Sequence, residues 1–185
     1  MNSIDDIECW NKYPQHRFLF NKLFLSLKLG YDCGPACVPV TVSGDYVIRP
    51  IVNLYGMGVG ASICFIDVDE KDYIIDHGII PPGHFWCEYF DGSHYSIDYI
   101  RKNNQWEQHH TMIGVNSKNN LTKFTEWTIV GNNDPYKDLP SFVKDISDLE
   151  YLNVEFKGDK IIEIHPRTGN DEFYKFSIGT KIIPL

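Results

Sequence analysis

The stretch LNVEFKGDKIIEIHPR (152–167) sets carboxylates into two apolar runs separated by a turn. The KGDK turn at 157–160 reads as the corner of a β-hairpin, and alternation with period two sets Glu163, His165 and Arg167 on one strand face. Acid, imidazole and guanidinium together suit a metal–phosphate site. There the carboxylates would hold Mg²⁺, Arg167 would meet a phosphate or carboxylate, and His165 would supply a third polar contact. A lone hairpin of this composition is more often a solvated surface. The weight therefore falls on what the rest of the chain adds.

The chain has 185 residues, 43% of them hydrophobic, enough for one sizeable domain or two small lobes with a shared core. Its net charge of −8, from 25 acidic and 17 basic residues, argues against holding nucleic acid or an anionic membrane through bulk field. A local basic site for a phosphate is compatible with that charge. No apolar run approaches the ~20 residues of a membrane span, and the polar start MNSIDD is unlike a signal peptide. The expectation is a cytoplasmic protein. The five cysteines, Cys9, Cys33, Cys37, Cys64 and Cys87, show no paired metal spacing, and CGPAC at 33–37 has no second pair. They are expected to be reduced thiols used as small buried groups.

Placing these groups requires the elements upstream. A short helix is predicted over 21–29, ended by Gly30, with a turn-rich loop after it through Asp32, Gly34 and Pro35. A strand over 45–52 leads into the glycine-rich NLYGMGVGA (53–61), and a second strand returns over 62–68. Neither GxGxxG nor GxxxxGK is present, so this is a hairpin cover whose backbone N–H groups can close on phosphates. Taken alone, such a hairpin is more often a turn with no ligand. Runs at 73–75 and 84–90 flank a PPG break, and Asp91-Gly92 turns the chain into an alternating strand over 93–100. The stretch 105–114 has no clear period, and 140–146 reads as a short helix. His109 and His110, adjacent on a strand, would point to opposite faces. No linker divides the chain, so a single domain of two apposed lobes is expected. Its boundary falls between Cys87 and Ser93, with about 1–87 carrying the glycine loop and about 88–185 the metal-binding strands.

In this order the pieces resemble the ATP-grasp family from about 21 to 167. Asn21-Lys22 is similar to the family's Asp-Lys at a helix start, and YVIRP (46–50) to its Val-Val-Lys-Pro strand. GMGVG (56–60) falls where the family has its mobile phosphate cover. CEYFDGSHYSID (87–98) resembles the interlobe linker Glu-Glu-Tyr-Ile-x-Gly and the Ser-Val-Asp strand after it, and NVEF and IEIHPR resemble the two closing strands. The resemblance implies an α+β fold of two lobes whose antiparallel sheets clasp a nucleotide. It implies phosphate contacts from Lys22 and Arg49, and a cover from Gly56, Met57, Gly58 and Gly60. It further implies an adenine edge read by the backbone at Glu88, Tyr89 and Phe90, and a ribose contact from His94. Glu155 and Glu163 would hold Mg²⁺, His165 stands where the family usually has Asn, and Arg167 would meet the transferred phosphoryl group. Arg49 replaces a Lys, and His165 would shift the preferred ion toward Mn²⁺ if it were a ligand.

The activity so implied is an ATP-dependent ligase. It would activate a small carboxylate as an acyl phosphate for an amine or other nucleophile, releasing ADP and phosphate. The alternatives are a small-molecule kinase on the same fold and a non-catalytic nucleotide- or partner-binding module. Family enzymes usually carry another α/β domain ahead of this core, whereas about twenty residues precede Lys22. A homodimer or a partner chain completing the acceptor site is the matching expectation. No nucleic-acid or membrane partner is expected.

Overall fold

The computed structural model describes residues 4–55, 58–69, 80–117, 120–131, 135–169 and 171–184. Strand alternation sorts the side chains of two antiparallel sheets. In the first, β1 (Cys33–Pro35), β2 (Gly44–Pro50), β3 (Ser62–Ile66) and β4 (His84–Glu88) lie in the order β1-β4-β2-β3. Tyr46, Ile48, Ile66 and Trp86 turn one way and pack with Val40 and Ile80 into a small core. Val47, Arg49 and Cys87 turn the other way, into a cleft. The Trp86 indole N–H is satisfied by the Val38 carbonyl at 2.8 Å, which lets the largest side chain of this core be fully buried.

The second sheet holds β5 (His94–Lys102), β6 (Gln105–Ser117), β7 (Asn120–Val130), β8 (Tyr151–Lys157), β9 (Lys160–His165) and β10 (Lys181–Ile182), in the order β10-β7-β6-β5-β8-β9. Ile97, Tyr99, Leu152, Val154, Phe156 and Ile164 form its core face. Against them pack Val143 of α3 (Ser141–Lys144) and the flanking Leu139, Ile146 and Leu149. Leu19 and Leu25 join the same core. They belong to the N-terminal segment, where α1 (Asp6–Lys12) and a 3-10 turn (Pro14–Phe20) precede α2 (Lys22–Lys28). Residues that precede the first sheet in sequence thus bury their apolar side chains on the second. Asn21 caps α2, its side chain accepting from the Phe24 N–H at 2.8 Å.

The turn that joins the two sheets, 89–93, is fixed to the β8–β9 corner. The Gly158 N–H donates to the Ser93 carbonyl at 2.8 Å. A Cβ on Gly92 would sit 2.9 Å from the Gly158 Cα, and one on Gly158 would sit 2.9 Å from the Asp91 carbonyl oxygen. Two backbones meet here with no room for a side chain on either.

Several expectations need correction. Residues 33–35, read as loop, form a short strand because they pair with β4. The stretch 105–114, without clear period, is most of β6, and its alternation is broken by a bulge opposite Asp98 and Tyr99. His109 is the extra residue of that bulge. His109 and His110 therefore do not diverge: both rings pack edge-on to Tyr174, at 5.4 and 4.8 Å. Arg167 lies beyond the end of β9 at His165 rather than on the strand. The run at 73–75 lies outside the described residues. Among the described residues, no helix is long and apolar enough to cross a membrane.

Candidate functional site

A cleft of about 320 Å³ runs between the sheets, a size suited to a small-molecule ligand. It is lined by Lys22, Arg49, Gly58, Glu88, Tyr89, Phe90, His94, Glu155, Glu163, His165 and Arg167. Gly60 stands back from the cleft, against Pro50 and His84, and Gly56 and Met57 lie outside the described residues.

The acidic part follows from strand register. Glu155 on β8 lies directly opposite Glu163 on β9, and Asn153 opposite His165. Ligand atoms of Glu155, Glu163 and His165 accordingly lie within 4.8 Å of one another. Lys22, at the start of α2, places its Nζ 2.5 Å from Glu163 Oε1. His165 Nε2 lies 3.3 Å from Glu163 Oε2, and its Nδ1 lies 3.1 Å from Asp6 Oδ1. The Arg167 Nε–H donates to the same Asp6 oxygen at 2.5 Å. Lys22, Glu163, His165, Asp6 and Arg167 thus form a chain of alternating charge. The sequence reading missed Asp6.

Both ring nitrogens of His165 face carboxylate oxygens, so both carry protons. Burial pulls the imidazolium down, but hydrogen bonds to Asp6 and Glu163 outweigh it and lift His165 to about 9. Burial pushes Asp6 up, yet His165 and then Arg167 bring it to about 2. Glu163 is likewise held well below the carboxylate range: the Lys22 charge and the His165 hydrogen bond overcome its burial. With both nitrogens engaged, His165 holds Glu163 in place, and the oxygen donors facing the cleft are those of Glu155 and Glu163.

At the other end, His94 Nε2 lies 3.2 Å from Glu155 Oε2. Its ring packs edge-on against Phe124 and Trp127, at 4.8 and 5.7 Å. Those two rings fit only because Gly114 lies beneath them, where a Cβ would approach each to 2.8 Å. Lys157 Nζ donates to Asn116 Oδ1 at 3.1 Å, and burial lowers its pKa. On the first sheet, Arg49 Nη1 reaches across to the Ile162 carbonyl at 3.1 Å and Nη2 to Ser26 Oγ at 3.5 Å. The Glu88 N–H donates to the Asp32 carbonyl at 2.9 Å and the Tyr89 N–H to the Asp45 carbonyl at 3.1 Å. Those two donors are already used within the protein.

No family model matches the chain, and no curated protein matches it. Solved structures do. An L-amino acid ligase from Bacillus licheniformis superposes with a TM-score of 0.54 at 13% identity, over 83% of this chain and 42% of that one. N5-carboxyaminoimidazole synthetase from Staphylococcus aureus, complexed with ADP, gives 0.51 at 16% identity, over 88% of this chain and 48% of that one. The fold is of the ATP-grasp type. The chain spans less than half the length of those two ATP-grasp structures. The structure brings the residues singled out on β8 and β9, around the turn between the two sheets and at the start of α2 to one cleft. Asp6, Asn116, Phe124, Trp127 and Lys157 were not singled out for it. The one sequence signal for the aromatic pair was Gly114 inside a strand, where a side-chain-free position marks a close approach.

Proposed function

We propose that this protein binds Mg²⁺-ATP in the cleft and uses it to activate a carboxylate as an acyl phosphate, which an amine or other nucleophile then displaces. The observation that carries this reading is the register-paired Glu155 and Glu163, facing into a cleft that Lys22, Arg49 and Arg167 also line. Two carboxylates beside fixed cations suit a metal-bridged polyphosphate. The ATP-grasp fold, found also in a ligase and in an enzyme complexed with ADP, supports it.

In this reading Arg49 and Lys22 meet the phosphates and the backbone at Gly58 closes over them. The adenine edge is read at Phe90, since the neighbouring N–H groups are engaged, and His94 faces the ribose. Glu155 and Glu163 fit Mg²⁺ through oxygen, which that hard ion prefers; bound there, the ion neutralises charge on the phosphates. His165, already committed on both nitrogens, fixes Glu163 and gives no reason to prefer Mn²⁺. Arg167, oriented by Asp6, stabilises charge on the group being transferred.

Glu155→Gln is the sharpest test, because Glu155 lies outside the Lys22–Glu163–His165–Asp6 lattice and its loss leaves that lattice intact. Thermal unfolding with millimolar ATP and Mg²⁺ should show a Mg²⁺-dependent stabilisation in the wild type. At ~100 times the dissociation constant it amounts to about 2.7 kcal/mol, and it should be lost in the variant. An equal shift in both proteins, or none in the wild type, would overturn the site. ADP formation requiring both a carboxylate and an amine identifies the ligase. A stable phosphorylated product without amine would identify a kinase, and ATP binding without ADP a binding module.

A further inference from the structure

We propose that Cys33 and Cys87 form a reversible disulfide across the β1–β4 ladder, a modification site on the wall of the cleft. The two residues are direct partners in antiparallel register. The Glu88 N–H donates to the Asp32 carbonyl, so the pair 32/88 belongs to the hydrogen-bonded class and the next pair, 33/87, to the other. In such non-hydrogen-bonded pairs the Cα atoms stand about 4.5 Å apart and the side chains lean together. That separation falls within the roughly 4.4–6.8 Å that a disulfide spans. The ladder therefore sets the two thiols side by side on one face of the sheet, in the pair class whose usual spacing suits a bridge. Both are free, Cys87 buried and lining the cleft, Cys33 half-buried.

Access sets the order of events. Cys33 is the more open thiol and reacts first with a peroxide: its sulfur attacks the O–O bond, giving a sulfenic acid and water. The Cys87 sulfur then attacks the Cys33 sulfur, the S–O bond breaks, and a second water leaves with the remaining thiol proton. Two thiols and one peroxide become one disulfide and two waters. Burial raises both thiols, Cys33 to about 11, so the first step is slow at neutral pH and quickens as the pH rises.

The bridge has a route into the cleft. Cys87 Sγ now lies 3.8 Å from Ser26 Oγ, which also receives Arg49 Nη2. Turning the Cys87 sulfur to Cys33 withdraws it from Ser26 and from the seat of Arg49. Weaker nucleotide binding by the oxidised protein is a consequence that rests on the proposed function; the disulfide itself does not.

The test is hydrogen peroxide treatment of the folded full chain, then intact mass and peptide mapping. The expected result is a loss of about 2 Da, a peptide joining residues 33 and 87, and recovery of both thiols on reduction with dithiothreitol. Cys33→Ser should abolish the loss, whereas Cys37→Ser, at an exposed position, should leave it unchanged. The oxidised protein should also melt higher than the reduced one. Alkylation of both Cys33 and Cys87 after peroxide, or a bridge mapped to Cys33 and Cys37, would overturn the proposal whether or not the protein binds ATP.

Discussion

The two walls of the cleft are built on opposite terms. On the second sheet, Lys22, Glu163, His165, Asp6 and Arg167 satisfy one another, so this wall is set before any ligand arrives. On the first sheet, among the described residues, the Arg49 side chain bonds to a carbonyl and a hydroxyl and to no carboxylate, and Gly58, at positive φ, lines the same cleft. One wall is a lattice of paired charges; on the other, Arg49 and Glu88 are held by neutral backbone and hydroxyl groups rather than by each other. A site that must hold an ion and orient transferring atoms benefits from the first kind, and one that must let a nucleotide in and out from the second.

Asp6 offers the largest break in that contrast. Asp6→Ala leaves the His165 and Arg167 cations buried without their shared partner, and should cost about 3–5 kcal/mol in denaturant unfolding. The cost should depend on pH. Asp6 is depressed, so its contribution is present above its ordinary value of 3.8 and lost as pH falls through about 2. His165 is raised, so its contribution is complete below 6.5 and lost as pH climbs through about 9. The wild-type advantage should be widest between those ordinary values and shrink on both sides. A cost independent of pH would mean the lattice is packing rather than charge.

Arg49→Met tests the other wall. It removes two hydrogen bonds from a charged group but strands no opposite charge, so the expected loss is smaller, about 2 kcal/mol, measured by the same unfolding. Nucleotide binding should weaken by more than stability does. Equal damage from Arg49→Met and Asp6→Ala would erase the distinction between the walls. The smallest effect belongs to Gly60→Ala, where φ is +84° and the new methyl would stand 3.1 Å from Pro50 Cγ. The left-handed conformation alone costs roughly 1–2 kcal/mol. A neutral result there would show that the loop relaxes freely.

Much of the second wall was legible because its groups are close in sequence: one hairpin carries Glu155, Glu163 and His165, and period two aligns them. Asp6 was illegible for the opposite reason. It sits 159 residues from its imidazole partner, beside another aspartate that caps the helix through the Glu8 N–H, so its type and setting read as capping. The same distance hid where the N-terminal helices pack, since Leu19 and Leu25 reveal an apolar face but not which sheet receives it. Over 105–114 of β6 the alternation was concealed by one inserted residue, His109, which puts the positions on either side of it out of phase. A three-residue strand at Cys33 carries too few positions to show a period at all, and its partner, β4, is far along the chain.

The meeting of Gly92 and Gly158 has a consequence for how this sequence can change. Where a new methyl strikes the far part of a side chain, as at Gly114 against the Phe124 and Trp127 rings, a second substitution that trims the neighbour can restore the fit. At Gly92 and Gly158 the obstructing atoms are main chain, which no codon can shorten. A side chain at either position would have to displace main chain rather than a neighbouring side chain, so the corner that ties the 89–93 turn to the acidic hairpin resists substitution on both of its strands.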